Sequence, residues 1–562
     1  MKKIKNIILL AACLSLNSCY DLDLTPLSMA TSNTWYSNET EFEMAVKDLY
    51  NPSFWNNASL EWTDDYTFRE TPDIILLGQL SGQSSHVTSL WTNAYKAIGR
   101  ANTILTNTEK GVSLGISQAK IDQFAAEASF VRAAMYSNLV FRFGDVVWVD
   151  KTISIEEAFK IGRTSKEEII KNIYADFDKA ANILPVSYSG VKRATKGAAY
   201  AYKARFALYM GDFAIAEEAA KKCIDLGAYE LHKDFANLFL ASTRDAKESV
   251  FATPRSLVYN SSFKTQMYIT RNPGGWASKD PSWALLASFL CTDGLPIDES
   301  PLFNPRKPFE NRDPRCAATI VAFGSNHLGF EYDPNPEVLE VMNYKTGKKQ
   351  LNNDTRANNK FASFNALAWK KGIDEDWTKN GYKVDPDNIL LRYADVLLMY
   401  AEAKIEQNKI DQSTLDAMNT VRARAYGVDK AATDQYPAIT ETTQSKLRSI
   451  LRIERRMEFV KEGLRYNDII RWKIAGETFN TKDYAPPYPA SLCVDKVTSK
   501  GLWFWSHTPK ISENGTADFS ELEKAGTAQV LSQRIWDERQ YLWPIPTKEI
   551  LINKNIKQNP GY

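Results

Sequence analysis

The sequence predicts a helix-dominated fold in which paired helices form a scaffold and a long irregular region, rich in loops with short strands, interrupts it. Three observations carry this. In Ile450 to Trp472, Ile450, Ile453, Met457 and Val460 recur at helical spacing, Gly463 marks an end, and Tyr466, Ile469, Ile470 and Trp472 start a second apolar face. Residues 194–227 form a unit of 34 residues with Gly211-Asp212-Phe213 at its corner, the length of one tetratricopeptide unit. A second helical hairpin is expected over 389–424. Between the two, residues 256–385 contain Gly274-Gly275, many prolines and scattered aromatics without a sustained period, which reads as loops rather than a linker.

In chain order, Lys2, Lys3 and Lys5 precede an apolar run from Ile7 to Leu16 and a few small residues, a secretory signal over residues 1–18 that is too short to remain as a membrane span. It closes on Leu16-Asn17-Ser18-Cys19, the form of a lipobox, so Cys19 is expected to carry the lipid and residues 19–30 to act as a tether. Acyl chains anchor without spanning, each buried methylene contributing about 0.8 kcal/mol. A helix is predicted over 38–50, stopped by Asn51-Pro52. Two more are predicted over 90–106 and 118–143, the last ending at Gly144. Trp91 and Tyr136 sit at helical spacing and are assigned to the core. Ala204, Ala216 and Cys223 supply the small residues that let the helices of the 34-residue unit approach.

Charge excludes one class of partner. Three of the 69 basic residues leave with the signal, so 66 face 68 acidic ones, and a charge of about −2 leaves no electrostatic footprint for nucleic acid. Cys223, Cys291, Cys316 and Cys493 are widely spaced and form no CxxC pair, which argues against a zinc site; one disulfide among them is compatible with export, its pairing open. The four histidines have no ligand spacing, and no nucleophile elbow, P-loop or dinucleotide-binding glycine pattern occurs. No enzyme chemistry is therefore predicted. No cofactor is assigned, and a supporting calcium ion is left open.

In the 450–472 stretch the charges are also ordered: Arg455 with Glu458, Glu462 with Arg465 and Asp468 with Arg471 stand three residues apart, the spacing at which side chains on one helix meet. Glu-Arg-Arg, Glu-Phe, Glu-Gly-x-Arg and Asp-Ile-Ile-Arg-Trp in this string resemble the signature near the end of the SusD/RagB family of surface lipoproteins. The same resemblance is carried by Trp91-x3-Tyr95-x2-Ile98-x3-Asn102, Asp293-Gly294-Leu295-Pro296-Ile297, Asn311-Arg312-Asp313-Pro314-Arg315, Tyr541-Leu542-Trp543-Pro544-Ile545-Pro546 and the ending Asn559-Pro560-Gly561-Tyr562. It implies a SusD-like fold with a helical region over 31–255, a ligand-facing irregular region over 256–385 and a second helical region over 386–562. It further implies an outer-membrane protein, anchored through Cys19 and facing the cell exterior, that captures an oligosaccharide for a SusC-like, TonB-dependent β-barrel transporter. The RagB branch suggests peptide as the alternative cargo.

A sugar ring presents apolar C–H faces and a rim of hydroxyls, so its site needs aromatic platforms with planar polar groups beside them. Aromatics in polar loops are the better candidates. Three stretches meet that condition: the first supplies Trp62, Asp65, Tyr66 and Arg69, the second Arg271, Asn272 and Trp276, and the third Asn365, Trp369 and Trp377, with Phe361 in the same segment.

Overall fold

The computed structural model describes residues 35–55 and 58–562; the predicted signal, Cys19 and the tether lie outside the described residues. Helices dominate. α1 (Glu39–Asp48) starts at Asn38, whose side chain accepts the Glu41 amide, and carries acids in its first turn and Lys47 in its last, as the helix dipole favours. α2 (Ser85–Thr106) begins five residues before the predicted start, in a polar turn whose Val87 is buried. α3 (Gln118–Phe143) keeps the predicted bounds and ends where Gly144 takes φ 70°. α4 (Lys166–Ile183), α5 (Lys196–Met210) and α6 (Phe213–Asp225) follow, with Gly211 at φ 83° closing α5. Ala198, Ala199, Ala201, Ala204 and Ala207 of α5 are all buried, and those small side chains let α4 and α6 pack against it from either side.

The irregular region enters after α6. Its short strands are mostly paired two by two: β1 (Tyr66–Phe68), β2 (Ser249–Thr253) and β3 (Lys279–Pro281) precede a four-stranded meander of β4 (Ser325–His327), β5 (Phe330–Tyr332), β6 (Glu340–Asn343) and β7 (Lys348–Leu351). β8 (Asn388–Arg392) returns to pair antiparallel with β2, so the start of the expected second hairpin is extended rather than helical. The chain then rejoins the helical stack. α7 (Tyr393–Glu406) packs on α6 and on α8 (Gln412–Ala425), continuing one series of neighbouring helices from α2 to α8 although residues 226–392 intervene.

Two cores result. One joins the helical stack to Trp543 and Ile545 near the C-terminus. The other gathers Trp283, Trp369, Phe504 and Trp505 with the irregular region. The Asp313-Pro314 motif does more than turn the chain: Asp313 caps the helix Pro314–Thr319, and Arg312 donates into the buried carbonyls of Leu286, Phe289 and Pro308.

α9 (Gln444–Phe459) lies between the cores, and α10 (Arg465–Arg471) follows Gly463. From Glu454 to Phe459 every side chain of α9 is buried, and most of the charges whose spacing suited local pairs take partners from distant segments instead. Arg455 meets Asp395 (2.9 Å) and Asp468 (3.0 Å) rather than Glu458. Glu458 accepts from Arg315, Arg392 and Arg424. Glu462 pairs with Lys371 and Arg392, and Arg465 with Asp64 (3.0 Å). Of the three expected pairs, Asp468 with Arg471 (2.8 Å) is formed. The network divides into charge-balanced groups. Glu454, Glu458, Glu462, Glu248 and Asp313 face Arg315, Arg392, Arg422, Arg424 and Lys371. Asp64 and Asp65 face Arg456 and Arg465.

Candidate functional site

The antiparallel pairing of β1 with β3 sets Thr67 opposite Asp280 and brings Arg69 out beside the loop 266–278. That loop needs its glycines. A Cβ on Gly275 would lie 2.1 Å from the carbonyl oxygen of Ile269, and Gly274 takes φ 91°. The tight return presents Trp276, 43% exposed, with Lys264 Nζ 5.1 Å from its ring centre. Arg69 then ties two segments together: it donates to the carbonyl oxygens of Trp276, Ala277 (2.6 Å) and Phe361 (2.6 Å). Its guanidinium stands 5.6 Å from the ring centres of both Phe361 and Phe364. Arg356 extends the row, 4.2 Å from Phe364 and 3.6 Å from Tyr488. The outcome is an exposed platform of Trp276, Phe361 (46% exposed) and Tyr488 (40% exposed) with arginines between the rings. Arg271 and Asn272 brace its loop. Arg271 donates to the Gly275 carbonyl (3.0 Å), and Asn272 accepts the Asn353 amide (2.9 Å).

The sequence-predicted residues therefore separate into two sets. Arg69, Arg271, Asn272 and Trp276 converge on this face. The other six are placed in the interior, away from this face, which corrects the expectation that all ten line one exposed ligand surface. Trp62 packs on His86, Tyr466 and Trp543. Asp65 is an ion-pair partner of Arg456 (2.9 Å), and Tyr66 lies against Trp369 at 4.8 Å. Asn365 donates to the Pro281 carbonyl (2.7 Å) and accepts the Leu367 amide (3.1 Å), and Trp369 and Trp377 are buried in the second core. Sequence reasoning missed Arg356, Phe364 and Tyr488. For Tyr488 a signal exists: it sits in Pro486-Pro487-Tyr488-Pro489, where prolines keep the ring out of regular structure.

Beneath the platform lie two buried carboxyls. Burial pushes Asp280 up to about 7. Asp354 accepts the backbone amides of Arg271 (2.5 Å) and Asn272 (3.4 Å), yet burial outweighs these bonds and raises it to about 7 as well. Unfolded aspartates titrate near pH 4 (about 3.9). The folded state thus holds protons that the unfolded state releases, so its advantage is complete below about pH 4 and is lost as pH rises through 7. Asp280→Asn, which has no charge to bury, is expected to be more stable than the wild type at pH 8 by about 1–3 kcal/mol, with the gap closing toward pH 5. Urea denaturation at the two pH values measures it; a gap independent of pH would refute the assignment.

Among the described residues no group of three or more His, Cys, Asp or Glu side chains is arranged to hold a metal ion, and no helix is long and apolar enough to cross a membrane. Cys223, Cys291, Cys316 and Cys493 are buried free thiols, which settles the open pairing in favour of none among them.

Two family models match the sequence. One, described as the SusD family, covers residues 247–562; the other, described as starch-binding associating with outer membrane, covers residues 16–208. A SusD-like protein of Formosa agariphila is 25% identical, with 100% of both chains aligned, and a SusD-like protein of Bacteroides ovatus is 22% identical over 84% of this chain and 82% of its own. Of solved structures, a SusD-like carbohydrate binding protein of Bacteroides fragilis superposes with a TM-score of 0.74 at 27% identity, covering 93% of this chain and 99% of its own. A second SusD-like protein of that organism gives 0.74 at 26% identity, with 96% and 100% covered.

Proposed function

Because the chain belongs to the SusD family, we propose that it is a carbohydrate-capturing protein of the outer membrane that holds an oligosaccharide against the Trp276–Phe361–Tyr488 platform. The observation that carries this reading is the platform itself. Apolar ring faces match the C–H faces of sugars, and Arg69 and Arg356 between them offer planar donors to the hydroxyl rim. The carbohydrate binding named for the Bacteroides fragilis relative, and the outer-membrane association in the description of the N-terminal match, support the same reading. The protein binds and does not cleave. Anchored through Cys19 on the cell exterior, it passes its cargo to a SusC-like, TonB-dependent barrel.

Peptide cargo has less support. An extended peptide adds to a free sheet edge, and one of the two edge strands of the meander, β7, exposes Lys348 and Lys349, the kind of charged edge that discourages strand addition.

Isothermal titration of the chain lacking residues 1–19 against plant, host-mucin and microbial glycans, with an oligopeptide mixture alongside, tests the reading. Saturable heat from a glycan is expected, weakened up to about ten-fold by Trp276→Ala and further by adding Phe361→Ala, since a stacked ring contributes about 0.5–1.5 kcal/mol. Heat from peptides alone would refute it.

A further inference from the structure

A cavity of about 440 Å³ opens on the helical stack, between α2, α3, α5 and the corner that joins α9 to α10. It is within the range of small-molecule sites, about 300–1,000 Å³. No residue of the aromatic platform lines it. Its lining combines Trp62 and Tyr209 with Ser89, Asn138, Asn467 and the end of α3, where Arg142 stands.

Arg142 departs from the way this protein buries arginine. Arg132, Arg205, Arg392, Arg455 and Arg534 are each held by a carboxylate. Arg312 lacks one and donates from its two Nη atoms to three backbone carbonyls. Arg142 has neither. It is 6% exposed, and among the described residues its guanidinium donates one hydrogen bond, from Nη2 to Asn467 Oδ1 at 3.2 Å. Its Nε has no partner, and the rings of Trp543 (5.5 Å) and Phe141 (5.8 Å) flank it. Burial lowers its pKa, and the groups that act against this are two tyrosines, Tyr466 and Tyr209, rather than a carboxylate. A desolvated cation without a counter-charge is costly, and a planar guanidinium matches a carboxylate bidentately.

We propose that this cavity is a second ligand site, separate from the aromatic platform, in which Arg142 receives the carboxylate of an acidic sugar residue. The anionic group follows from the unanswered cation. The sugar follows from the mixture of rings, amides and a hydroxyl around it, and that choice rests on the carbohydrate reading above. Asn467 lends itself to the test because Asn467→Asp places the missing carboxylate on Arg142 with almost no change of shape.

Isothermal titration of the chain lacking residues 1–19 with D-galacturonate and with D-galactose, joined to thermal melting of each variant, decides it. Galacturonate is expected to bind saturably and galactose at least about ten-fold more weakly. Asn467→Asp should weaken galacturonate about ten-fold or more while melting at or above the wild-type temperature, and Arg142→Met should lose the binding too. Trp276→Ala should leave galacturonate binding intact while it weakens neutral glycans, so the failure of one site is separable from the failure of the other. Absence of galacturonate binding, binding indifferent to Asn467→Asp, or binding lost with Trp276→Ala would each overturn the second site. Equal binding by a short peptide with a free C-terminal carboxylate, lost in the same variants, would overturn the sugar assignment.

Discussion

Glu458→Gln is expected to destabilise the fold by about 3–5 kcal/mol, the cost of leaving buried charge without its partner. Glu458 lies at the end of α9 with a fully buried side chain and is shared by Arg315, Arg392 and Arg424. These arginines hold its pKa well below the usual carboxylate range against the opposing effect of burial. Glutamine keeps the shape and removes the charge, so the balanced cluster gains a surplus positive charge in a dry interior. Guanidinium or urea denaturation should show the midpoint falling with the slope unchanged; a loss below about 1 kcal/mol would mean that the cluster is hydrated or already surplus in charge. Asp395, held by Arg205 and Arg455, is lowered to about 2. Carboxylates with depressed values contribute stability above the unfolded range near pH 4 (about 3.9–4.3) and lose it as pH falls through their folded values. Asp280 and Asp354 act in the opposite sense on the alkaline side. Together they place the optimum of stability at about pH 4 to 5, the unfolded carboxylate range, since the depressed carboxylates lose their contribution below it and Asp280 and Asp354 lose theirs from there up to about pH 7.

The second large effect is expected at Gly275→Ala. The added methyl would meet the carbonyl oxygen of Ile269 at 2.1 Å, backbone against backbone, so no side chain can swing aside to relieve it. The turn must open. Because the Trp276 amide is bonded to Gln266 (2.8 Å) and the Ala277 amide to Ile269 (2.9 Å), opening it displaces the exposed ring. A stability loss of about 1–3 kcal/mol is expected from the forced shift, together with a loss of glycan affinity comparable to that of Trp276→Ala. Titration and denaturation of the same preparation separate the two. Unchanged affinity would show that the platform does not depend on this turn.

The helical half of the architecture was legible where periodicity is local. α3 kept its predicted ends because Gly144 stops it, and the corner of the 34-residue unit was marked by Gly211. What remained hidden depends on contacts far apart in sequence. Arg455, Glu458 and Glu462 follow a spacing that suits a solvated helix, and nothing in one dimension shows that this helix is enclosed. Their partners, Asp395, Arg392 and Lys371, lie more than 50 residues away. The same limit divided the candidate tryptophans. Trp276 and Trp369 both stand in segments that bear glycine, asparagine and lysine or arginine, yet a tight glycine turn lifts one ring outward while Ile320, bridged to Trp369, draws the other into the second core. Arg356 gave no local sign at all, since its role comes from rings at 364 and 488.

The pairing of α9 and its following corner with the segment before β1 also bears on the order in which the protein is completed. Arg456 holds Asp65 across 391 residues, and Arg465 holds Asp64 across 401. Four residues beyond Asp65 is Arg69, which fastens the two halves of the platform. A chain that emerges N-terminus first therefore presents this early segment long before its clasp exists. Contacts of such separation form late and slowly. The aromatic platform is thus the part of the molecule whose shape waits for the last quarter of the polypeptide, and truncation there disrupts a surface made mostly of earlier residues.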